Sequence, residues 1–497
     1  MKITASMLYN YIQCPHRVTM DLFGDPALKN PVSPFVQLLW EKGNLFEAEV
    51  IESLQAPFEN LRALSGRERA AKTVELMAKK APLIYGARIS AADLLGDPDL
   101  LRLADGGYVA GDIKSGAGLE GKDENGGRPK KHYAVQLALY TDILEKMGAS
   151  DGRTPFIWDI SGAETVYRLD DQNGRASRRS LWDIYEYTLA SVRVVLQQNG
   201  DTRPALAAVC KLCPWKGVCV KALKTADDLT LIPELGRSRR NVLSTRFKSV
   251  ADLAEKDPAP FIQGAKTVFP RIGPDMLRTF HERARLLCDQ SAAPYLKAPI
   301  ALPNTEMALF FDIETDPFRD ICYLHGFVEQ QNGNPLTEKY VAFLMQAPTP
   351  AEEVRAFQEA CGYIRQKQPC AIFYYSPYER TVWRRLQQKY PTVISGKELE
   401  LLFPEDRTVD LYLDVIKPFT EWPVSDYSIK TLARFCGFSW RDNDPSGAAS
   451  IEWYHRWVET GDGRVRDRIL AYNEDDCMAM RVLLDKIKKL KVVPGTG

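Results

Sequence analysis

The sequence predicts a multidomain protein of the α/β class, and three observations lead to that prediction. Two apolar segments have the side-chain alternation of strands, YVAGDIK at 108–114 and MALFFDIET at 307–315, and each precedes segments with helical periodicity. The chain has 497 residues, which is enough for roughly three domains. A proline-containing linker, YLKAPIALPN, separates the second strand from what precedes it.

These signals divide the chain into three expected domains. Residues 1–222 run from a lone cysteine to a cysteine-rich stretch. Residues 223–298 have a helical pattern and form the expected connector. Residues 299–497 contain the linker, the second acidic strand and the helices that follow it.

The charges of the chain are balanced, with 65 Lys and Arg residues against 65 Asp and Glu residues. Any surface that attracts nucleic acid must therefore be local. No apolar run approaches the roughly 18 residues that span a membrane, and the N-terminal segment lacks the apolar core of a signal peptide. We therefore expect a cytoplasmic protein without a membrane partner, in which the ten cysteines do not form disulfides.

Asp112 and Lys114 project from the same face of the first predicted strand, because side chains alternate along a strand. The preceding DLLRL predicts the partner strand of a hairpin that brings Asp99 alongside them. Two carboxylates can hold Mg²⁺ or Mn²⁺, and a lysine can orient water or stabilise the charge on an attacked phosphodiester. These residues are therefore candidates for a metal-dependent hydrolytic site.

A helix predicted after the next polar loop carries Gln136 and Tyr140 on one face, because they are four residues apart. The order D…D-x-K…Q-x3-Y resembles the RecB-family nucleases of the PD-(D/E)xK superfamily, down to the proline before the first aspartate. The resemblance implies a restriction-endonuclease-like domain with five catalytic residues: Asp99, Asp112, Lys114, Gln136 and Tyr140.

The same family places a further metal ligand, often histidine, on an upstream helix. The matching stretch here, KGNLFEAEVIESL, offers Glu47, with Glu49 as the alternative. A carboxylate is a suitable ligand for a hard cation. The resemblance therefore implies that Glu47, Asp99 and Asp112 bind the metal.

Four cysteines lie at the two ends of the first segment. Cys14 stands in YIQCPHR, and Cys210, Cys213 and Cys219 form a C-x2-C-x5-C pattern. Four thiolates suit either an iron–sulfur cluster or tetrahedral zinc, and the spacing alone leaves both open. The pattern resembles the iron–sulfur subgroup of RecB-type nucleases, which implies a [4Fe–4S] cluster that staples the first helix to the last segment.

The third segment carries a second set of acidic residues. Asp312 and Glu314 share a face of the predicted strand, and Tyr472 and Asp476 share a face of a later helix. Between them, Glu379 lies where the strand of AIFYYSPYERTVWRRL passes into a helix. This order resembles the tyrosine-type DEDD exonucleases of the ribonuclease H-like fold.

That resemblance implies two-metal hydrolysis in which Asp312 bridges both ions and Tyr472 orients the attacking water. The remaining metal ligands would be Glu314, Glu379 and Asp476. DEDD enzymes usually have aspartate where this chain has Glu379, and Asp410 is the alternative residue for that position. Because glutamate is one methylene longer, the metal spacing could differ, and a folded but inactive module is the alternative interpretation.

The connector contains two turns, LIPELGRSRR and FPRIGPDMLR, each followed by an amphipathic stretch. They resemble weakened helix-hairpin-helix units, in which turn amides and a helix N-terminus contact DNA phosphates without reading sequence. Gly236 and Gly273 would supply the turns. The local positive charge would come from Arg237, Arg239 and Arg240. A plain helical spacer is the alternative.

The whole arrangement resembles RecB-like nucleases that join an iron–sulfur PD-(D/E)xK domain to a DEDD domain. It implies a metal-dependent deoxyribonuclease, an exonuclease that acts on single-stranded DNA or DNA ends in repair, recombination or CRISPR-type processing. RNA is an alternative substrate, and a helicase or another repair protein is a candidate partner. No Walker A motif is present, so the chain itself is not a helicase. The second interpretation is a nucleic-acid-binding scaffold with one active site and a degenerate ribonuclease H-like domain.

Overall fold

A computed structural model describes residues 1–121, 127–160, 162–172, 179–197, 202–443 and 445–493. The chain forms two compact units. The first comprises residues 1–204 and 208–220, and the second comprises residues 205–207 and 221–497. No helix in the described residues is long and apolar enough to cross a membrane.

The first unit combines short strands with longer helices. Its helices are α1 (Ala5–Gln13), α2 (Pro15–Phe23), α3 (Pro34–Glu52), α4 (Gly66–Ala78), α5 (Lys131–Lys146), α6 (Leu181–Leu196) and the start of α7 (Lys216–Thr225). Its strands are β1 (Ile3–Thr4), β2 (Glu59–Asn60), β3 (Leu83–Tyr85), β4 (Ile89–Ala91), β5 (Leu94–Gly96), β6 (Leu100–Leu103), β7 (Tyr108–Ile113), β8 (Leu119–Glu120), β9 (Arg128–Pro129), β10 (Phe156–Trp158) and β11 (Glu164–Val166).

The main sheet of this unit has the strand order β11-β10-β7-β6-β3-β2. Its central strand β7 is antiparallel to β6 and parallel to β10, and all of its residues are buried. Tyr108 and Ala110 belong to the apolar cluster that includes Ala138 of α5. Val109 packs on the other face with Ile51 of α3. Asp112 therefore continues the β7 face that packs on α5.

The second unit contains the remaining elements. Its helices are α8 (Gly236–Leu243), α9 (Val250–Glu255), α10 (Pro274–Cys288), α11 (Pro350–Lys367), α12 (Tyr378–Lys389), α13 (Gly396–Leu402), α14 (Lys417–Phe419), α15 (Ile429–Phe435), α16 (Gly447–Thr460) and α17 (Gly463–Ile487). Its strands are β12 (Ile262–Gln263), β13 (Lys266–Thr267), β14 (Tyr295–Leu296), β15 (Met307–Asp316), β16 (Ile321–Gln331), β17 (Asn334–Leu344), β18 (Cys370–Tyr374), β19 (Thr408–Asp410) and β20 (Thr420–Glu421).

The large sheet of the second unit has the order β17-β16-β15-β18-β19. Strands β15 to β17 form an antiparallel meander, and β18 and β19 add in parallel. Phe311 of β15 faces Trp383 of α12 on one side of this sheet. Phe310 packs on the other side with Met480 and Leu483 of α17. Asp312 and Glu314 lie on the same side of β15 as Phe310.

The connector predicted for residues 223–298 lies within the second unit. Its helices α8 to α10 enclose an apolar cluster that includes Phe247, Leu277 and Phe280. Arg283 of α10 is buried, and its Nε lies 2.8 Å from Oε2 of Glu421. Because removing one partner of such a pair leaves a buried charge uncompensated, this contact resists separation of the connector from β20.

Candidate active sites and cysteine cluster

The hairpin of β6 and β7 places Asp99 opposite Asp112, as the sequence predicts. Leu100 pairs with Gly111 in antiparallel fashion, so Asp99, just before Leu100, faces Asp112, just after Gly111. The Ile113 amide donates to Oδ2 of Asp99 at 2.9 Å, which fixes that carboxylate at the strand end. A Cβ on Gly111 would lie 2.3 Å from the Phe156 ring, so this close packing requires glycine.

Lys114 forms an ion pair with Asp112, with 2.9 Å between Nζ and Oδ2. Among the described residues, no group is aligned to give this buried oxygen a hydrogen bond, so the contact is electrostatic. Burial acts to lower the pKa of Lys114, but attraction by Asp112 and Asp99 outweighs it and raises that pKa. Lys114 is therefore an ammonium ion at neutral pH, the form that stabilises negative charge.

The two aspartates fit a divalent cation. Burial, followed by repulsion from Asp112, raises the pKa of Asp99 to about 7. A carboxyl group with such a pKa is partly protonated at neutral pH unless a cation binds beside it. Oδ2 of Asp112, which faces Lys114 but accepts no hydrogen bond from the described residues, is a further oxygen that a hard ion would take as ligand. We call Asp99, Asp112 and Lys114 the first site.

Glu47 reaches the first site through Arg62. Nη2 of Arg62 lies 2.9 Å from Oδ1 of Asp99 and also donates to Oε1 of Glu47. The hydroxyl of Tyr85 donates to the same glutamate oxygen at 2.9 Å. Glu49 is exposed on α3 and takes no part in these contacts. The geometry therefore favours Glu47 over Glu49 as the third acidic residue.

Gln136 and Tyr140 approach the first site from α5. Nε2 of Gln136 lies 3.2 Å from the Tyr140 hydroxyl, which donates to the carbonyl oxygen of Asp97 at 3.3 Å. Tyr140 is buried, and a Cβ on Gly96 would lie 2.7 Å from its ring. The two residues therefore hold the turn that leads into Asp99.

Three acids of the second unit form a compact group. Ligand oxygens of Asp312, Glu314 and Asp476 lie within 4.8 Å of one another, which is true of no other acidic, histidine or cysteine set of three in the described part of the chain. The two strand residues continue the β15 face that packs on α17, and Asp476 lies on α17. The contact between β15 and α17 is therefore apolar at Phe310 and acidic at the two residues that follow on the same face of the strand.

Glu379 lies in the first turn of α12, close to this group without belonging to it. Its Oε2 is buried without a hydrogen-bond partner among the described residues, and its charge contributes to the raised pKa of Asp312. The alternative residue, Asp410, caps the next turn. Its Oδ1 accepts hydrogen bonds from the amides of Ser376 (2.9 Å), Tyr412 (2.9 Å) and Leu413 (3.0 Å), whereas its Oδ2, like Oε2 of Glu379, is buried without a hydrogen-bond partner among the described residues. Because one oxygen of Asp410 already serves the turn and the charge of Glu379 acts on Asp312, we favour Glu379.

The acids of this group perturb one another. Burial, followed by repulsion from Asp476, raises the pKa of Glu314 to about 8. Burial, followed by repulsion from Asp476 and Glu314, raises the pKa of Asp312 well above its usual range. Such groups cannot all ionise unless cations bind beside them. The all-carboxylate donor set fits Mg²⁺ or Mn²⁺. We call these three acids, with Glu379 and Tyr472, the second site.

Two neutral side chains that the sequence analysis did not single out orient these acids. Nδ2 of Asn473 donates to Oδ2 of Asp312 at 2.7 Å. The indole Nε1 of Trp440 donates to Oδ1 of Asp476 at 2.7 Å. Asn473 could have been found because it follows Tyr472 directly within YNEDD. No spacing signal identifies Trp440, which reaches α17 from a separate segment.

Tyr472 is buried on α17 and receives a hydrogen bond from Lys430 of α15, with 2.8 Å between the ammonium nitrogen and the phenol oxygen. Burial, followed by repulsion from Asp476, raises the pKa of Tyr472 well above its usual range. The phenol therefore keeps its proton at neutral pH and is able to donate a hydrogen bond. The sequence analysis did not single out this lysine.

The four predicted cysteine ligands all lie in the first unit. Cys14 separates α1 from α2, Cys210 lies in a short 3-10 helix, Cys219 lies in α7, and all four are half-buried. Burial raises the pKa of Cys213, and charge on Cys14 and Cys210 adds to that rise. Such an effect falls with distance. Charge on Cys14 and Cys210 therefore acts on the Cys213 thiol, although no three sulfur atoms of the described cysteines lie within 4.8 Å of one another.

Other contacts hold the cysteine-rich segment to the start of the chain. Trp215 is buried, and its Nε1 donates to Oδ1 of Asp21 at 2.7 Å. The amide of Asn30 donates to the carbonyl of Pro214 at 2.7 Å, and its side-chain oxygen accepts from the Gly217 amide at 2.9 Å. The polypeptide thus brings the two cysteine segments together, as a shared cofactor would require.

The two connector turns line one cavity of about 710 Å³. Its lining includes Gly236, Arg237, Arg239 and Arg271. Gly236 has a φ of 66°, which supports its predicted place in a turn. Gly273 instead has a φ of −78° and caps the N-terminus of α10. The cavity therefore presents positive charge beside the start of α8.

Arg240 does not contribute to that cavity. Its side chain is buried, and Nη1 lies 2.8 Å from Oδ2 of Asp228. The prediction that Arg240 supplies surface charge is therefore wrong, because the helical period turns this residue toward the connector core. Arg271, from the second turn, is exposed and lines the cavity together with Arg237 and Arg239.

Comparison with known families finds a match in each of the two units. The family model of the PD-(D/E)XK nuclease superfamily matches residues 28–220, and that of the RNase H superfamily matches residues 309–488. A search of curated proteins finds no match. The matched spans include every acidic residue of the two sites, and such nuclease domains support metal-dependent hydrolysis. The chain therefore contains a domain of the PD-(D/E)XK nuclease superfamily over residues 28–220 and a domain of the RNase H superfamily over residues 309–488.

Proposed function

We propose that this protein is a metal-dependent DNA nuclease with two hydrolytic sites, which acts on single strands or ends as an exonuclease. One observation carries the proposal. Each unit gathers buried and half-buried carboxylates beside the end of a sheet strand, inside a span that matches a nuclease-related superfamily. Divalent ions held there would polarise the phosphodiester and make a water molecule more nucleophilic. Repair, recombination or CRISPR-type processing would be the setting, with a helicase or other repair protein as partner.

In the first site, Asp99 and Asp112 would hold the ion, and Glu47 would complete the acidic side. The Lys114 ammonium, paired with Asp112, would lie beside the attacked phosphate and stabilise the negative charge that grows on its oxygens. Gln136 and Tyr140 would keep Asp99 in place through the preceding turn.

In the second site, Asp312, Glu314 and Asp476 would hold the ions, with Asp312 between them. Glu379 would be the fourth carboxylate, and its unpartnered Oε2 supports that role. The protonated Tyr472 hydroxyl would orient the attacking water. These residues suit phosphodiester hydrolysis in RNA as well as in DNA, so both substrates belong in the test.

The proposal is tested with end-labelled single-stranded DNA, duplex DNA and single-stranded RNA in Mg²⁺ or Mn²⁺. We expect the parent to shorten single-stranded DNA, and the double variant Asp99→Ala with Asp312→Ala to leave every substrate intact while still binding DNA. Hydrolysis that survives in the double variant would show that neither proposed site is the source of the activity.

One observation favours a second candidate function, a binding scaffold with a single active site. Glu379 lies outside the compact group of three acids, so the second metal position could lack a ligand. In that case Asp312→Ala alone leaves the products of the parent unchanged. The ribonuclease H-like domain would then bind the nucleic acid without hydrolysing it.

We also propose that Cys14, Cys210, Cys213 and Cys219 bind a [4Fe–4S] cluster with a structural role. The neighbouring half-buried thiols support this, and the cytoplasmic location predicted from the sequence would keep them reduced. The protein purified without oxygen should be brown and contain about four iron atoms per chain. Cys213→Ser should lose the iron and unfold at a lower temperature. Cys288→Ser, at an exposed position of α10, should retain the iron. Stoichiometric zinc in place of iron would contradict the assignment.

The arginine-lined cavity would bind the phosphate backbone without reading sequence. Arg271 is exposed there, and no ion pair involving it is found among the described residues. Replacing Arg271 by Gln should weaken DNA binding equally for all sequences and reduce the salt slope of log K by about 1. Arg278→Gln, on the same connector but outside the cavity, is the matched control. Fluorescence anisotropy at several salt concentrations measures both, and equal slopes would favour the plain helical spacer.

A further inference from the structure

Lys430 places a positive charge within the second site. Its Nζ donates to the Tyr472 hydroxyl at 2.8 Å and to the carbonyl oxygen of Pro445 at 2.8 Å. The ammonium also lies 4.7 Å from the centroid of the Tyr472 ring, a cation–π distance. Lys430 is thus hydrogen-bonded to Tyr472, the residue expected to orient the attacking water.

The charge of Lys430 acts on all three grouped acids. Its Nζ lies 5.9 Å from the centroid of the Trp440 ring, whose Nε1 donates to Oδ1 of Asp476 at 2.7 Å. Ligand oxygens of the other two acids lie within 4.8 Å of Asp476. A lysine is therefore close enough to compensate part of their negative charge. The same charge must repel any divalent cation that the acids bind.

The hydrogen bonds also fix the direction of the phenol proton. A phenol hydroxyl has a single proton to donate and accepts through its oxygen lone pairs. Because Lys430 occupies the accepting side of Tyr472, the proton points elsewhere. Asp476 follows four residues later on the same face of α17, so the grouped carboxylates lie on the side that is left to the hydroxyl proton.

We propose that Lys430 is a positioning residue of the second site. Lys430 orients the Tyr472 hydroxyl, and its positive charge also lowers the affinity of the site for divalent metal ions. This inference rests on the proposed nuclease function of that site. A purely structural role, in which Lys430 only ties α15 to the segment before α16 through Pro445, is the competing account. The two accounts differ in what they predict for metal affinity.

The test uses the full chain with the first site disabled by Asp112→Asn, and compares Lys430→Met, Lys430→Gln and Lys430→Arg. Mn²⁺ affinity is measured by the electron paramagnetic resonance signal of the free ion, and hydrolysis by single-turnover kinetics on single-stranded DNA. Exposed Lys397→Met, on α13, is the matched control and should behave as the parent.

We expect Lys430→Met to bind Mn²⁺ about fivefold more tightly, because a nearby positive charge has been removed. Its turnover should nevertheless fall about tenfold or more, because the hydroxyl loses its orientation, while KM for DNA stays unchanged. Lys430→Arg should recover part of the turnover and keep the parental Mn²⁺ affinity. Lys430→Gln, a donor without charge, should recover turnover in part and still bind Mn²⁺ tightly.

Weaker Mn²⁺ binding in Lys430→Met, together with a lower unfolding temperature, would support the structural tie and overturn the inference. Parental turnover in Lys430→Met would overturn it as well. If the chain with Asp112→Asn hydrolyses nothing, the proposed activity of the second site has failed. The inference is then decided by Mn²⁺ affinity alone: tighter binding in Lys430→Met supports it, and unchanged or weaker binding rejects it.

Discussion

Replacing Lys114 by Ala should slow cleavage at the first site about a hundredfold or more. The ammonium ion pairs with Asp112 and would act chiefly on the charge that develops as the phosphodiester is attacked. Because it contributes little to holding the substrate, DNA affinity should change much less than turnover. Single-turnover cleavage and a separate binding assay, both in an Asp312→Asn background, measure the two quantities.

The controls for this prediction separate charge from fold. Lys114→Arg retains the positive charge but not the shape of the ammonium, so it should recover only part of the rate. Lys79→Ala removes an exposed lysine of the same unit, with 68% of its side chain accessible, and should cleave as the parent does. A Lys114→Ala protein that cleaves at the parental rate would show that the first site is incorrectly assigned.

Replacing Asp312 by Asn should reduce hydrolysis at the second site by about a thousandfold or more, since metal stabilisation of the transition state is worth several kcal/mol. The substitution keeps the shape of the side chain and an oxygen that can accept from Asn473. In metal-free buffer the variant should be as stable as the parent or more so, because one of several repelling buried carboxylates is gone.

Metal-dependent stabilisation tests the same residue without relying on activity. A ligand that binds only the folded state raises the unfolding temperature. Mn²⁺ should therefore raise that temperature for the parent with the first site disabled, and much less for the Asp312→Asn variant. Asp467→Asn, at an exposed position of α17, should respond to Mn²⁺ as the parent does. An equal Mn²⁺ response in Asp312→Asn would mean that the grouped acids do not bind the ion.

The strongest sequence predictions rest on local periodicity. A strand turns alternate side chains to one face, which is why Asp112 with Lys114, and Asp312 with Glu314, could be paired before any fold was known. A helix aligns residues four apart, which predicts the pair of Tyr472 and Asp476. The hairpin that faces Asp99 toward Asp112 also follows from local signals, because adjacent strands joined by a short glycine turn pair in antiparallel fashion.

The choices that the sequence left open depend on contacts between distant segments. Glu47 approaches Asp99 because Arg62 contacts both, and nothing in the spacing of these residues predicts that bridge. Glu379 is preferred over Asp410 because its charge acts on Asp312, whereas Oδ1 of Asp410 accepts three backbone amides of its own turn.

By itself, therefore, the sequence determined the two nuclease-related domains and the residues that share a strand or helix face, because those relations depend on backbone geometry over a few residues. Only the tertiary structure could favour Glu47 over Glu49 and Glu379 over Asp410, and only it showed that Arg240 is buried while Arg271 is exposed. It also placed Lys430 on Tyr472, 42 residues away in the chain. Such contacts depend on how separate elements pack, and packing brings together side chains whose spacing in the sequence carries no signal.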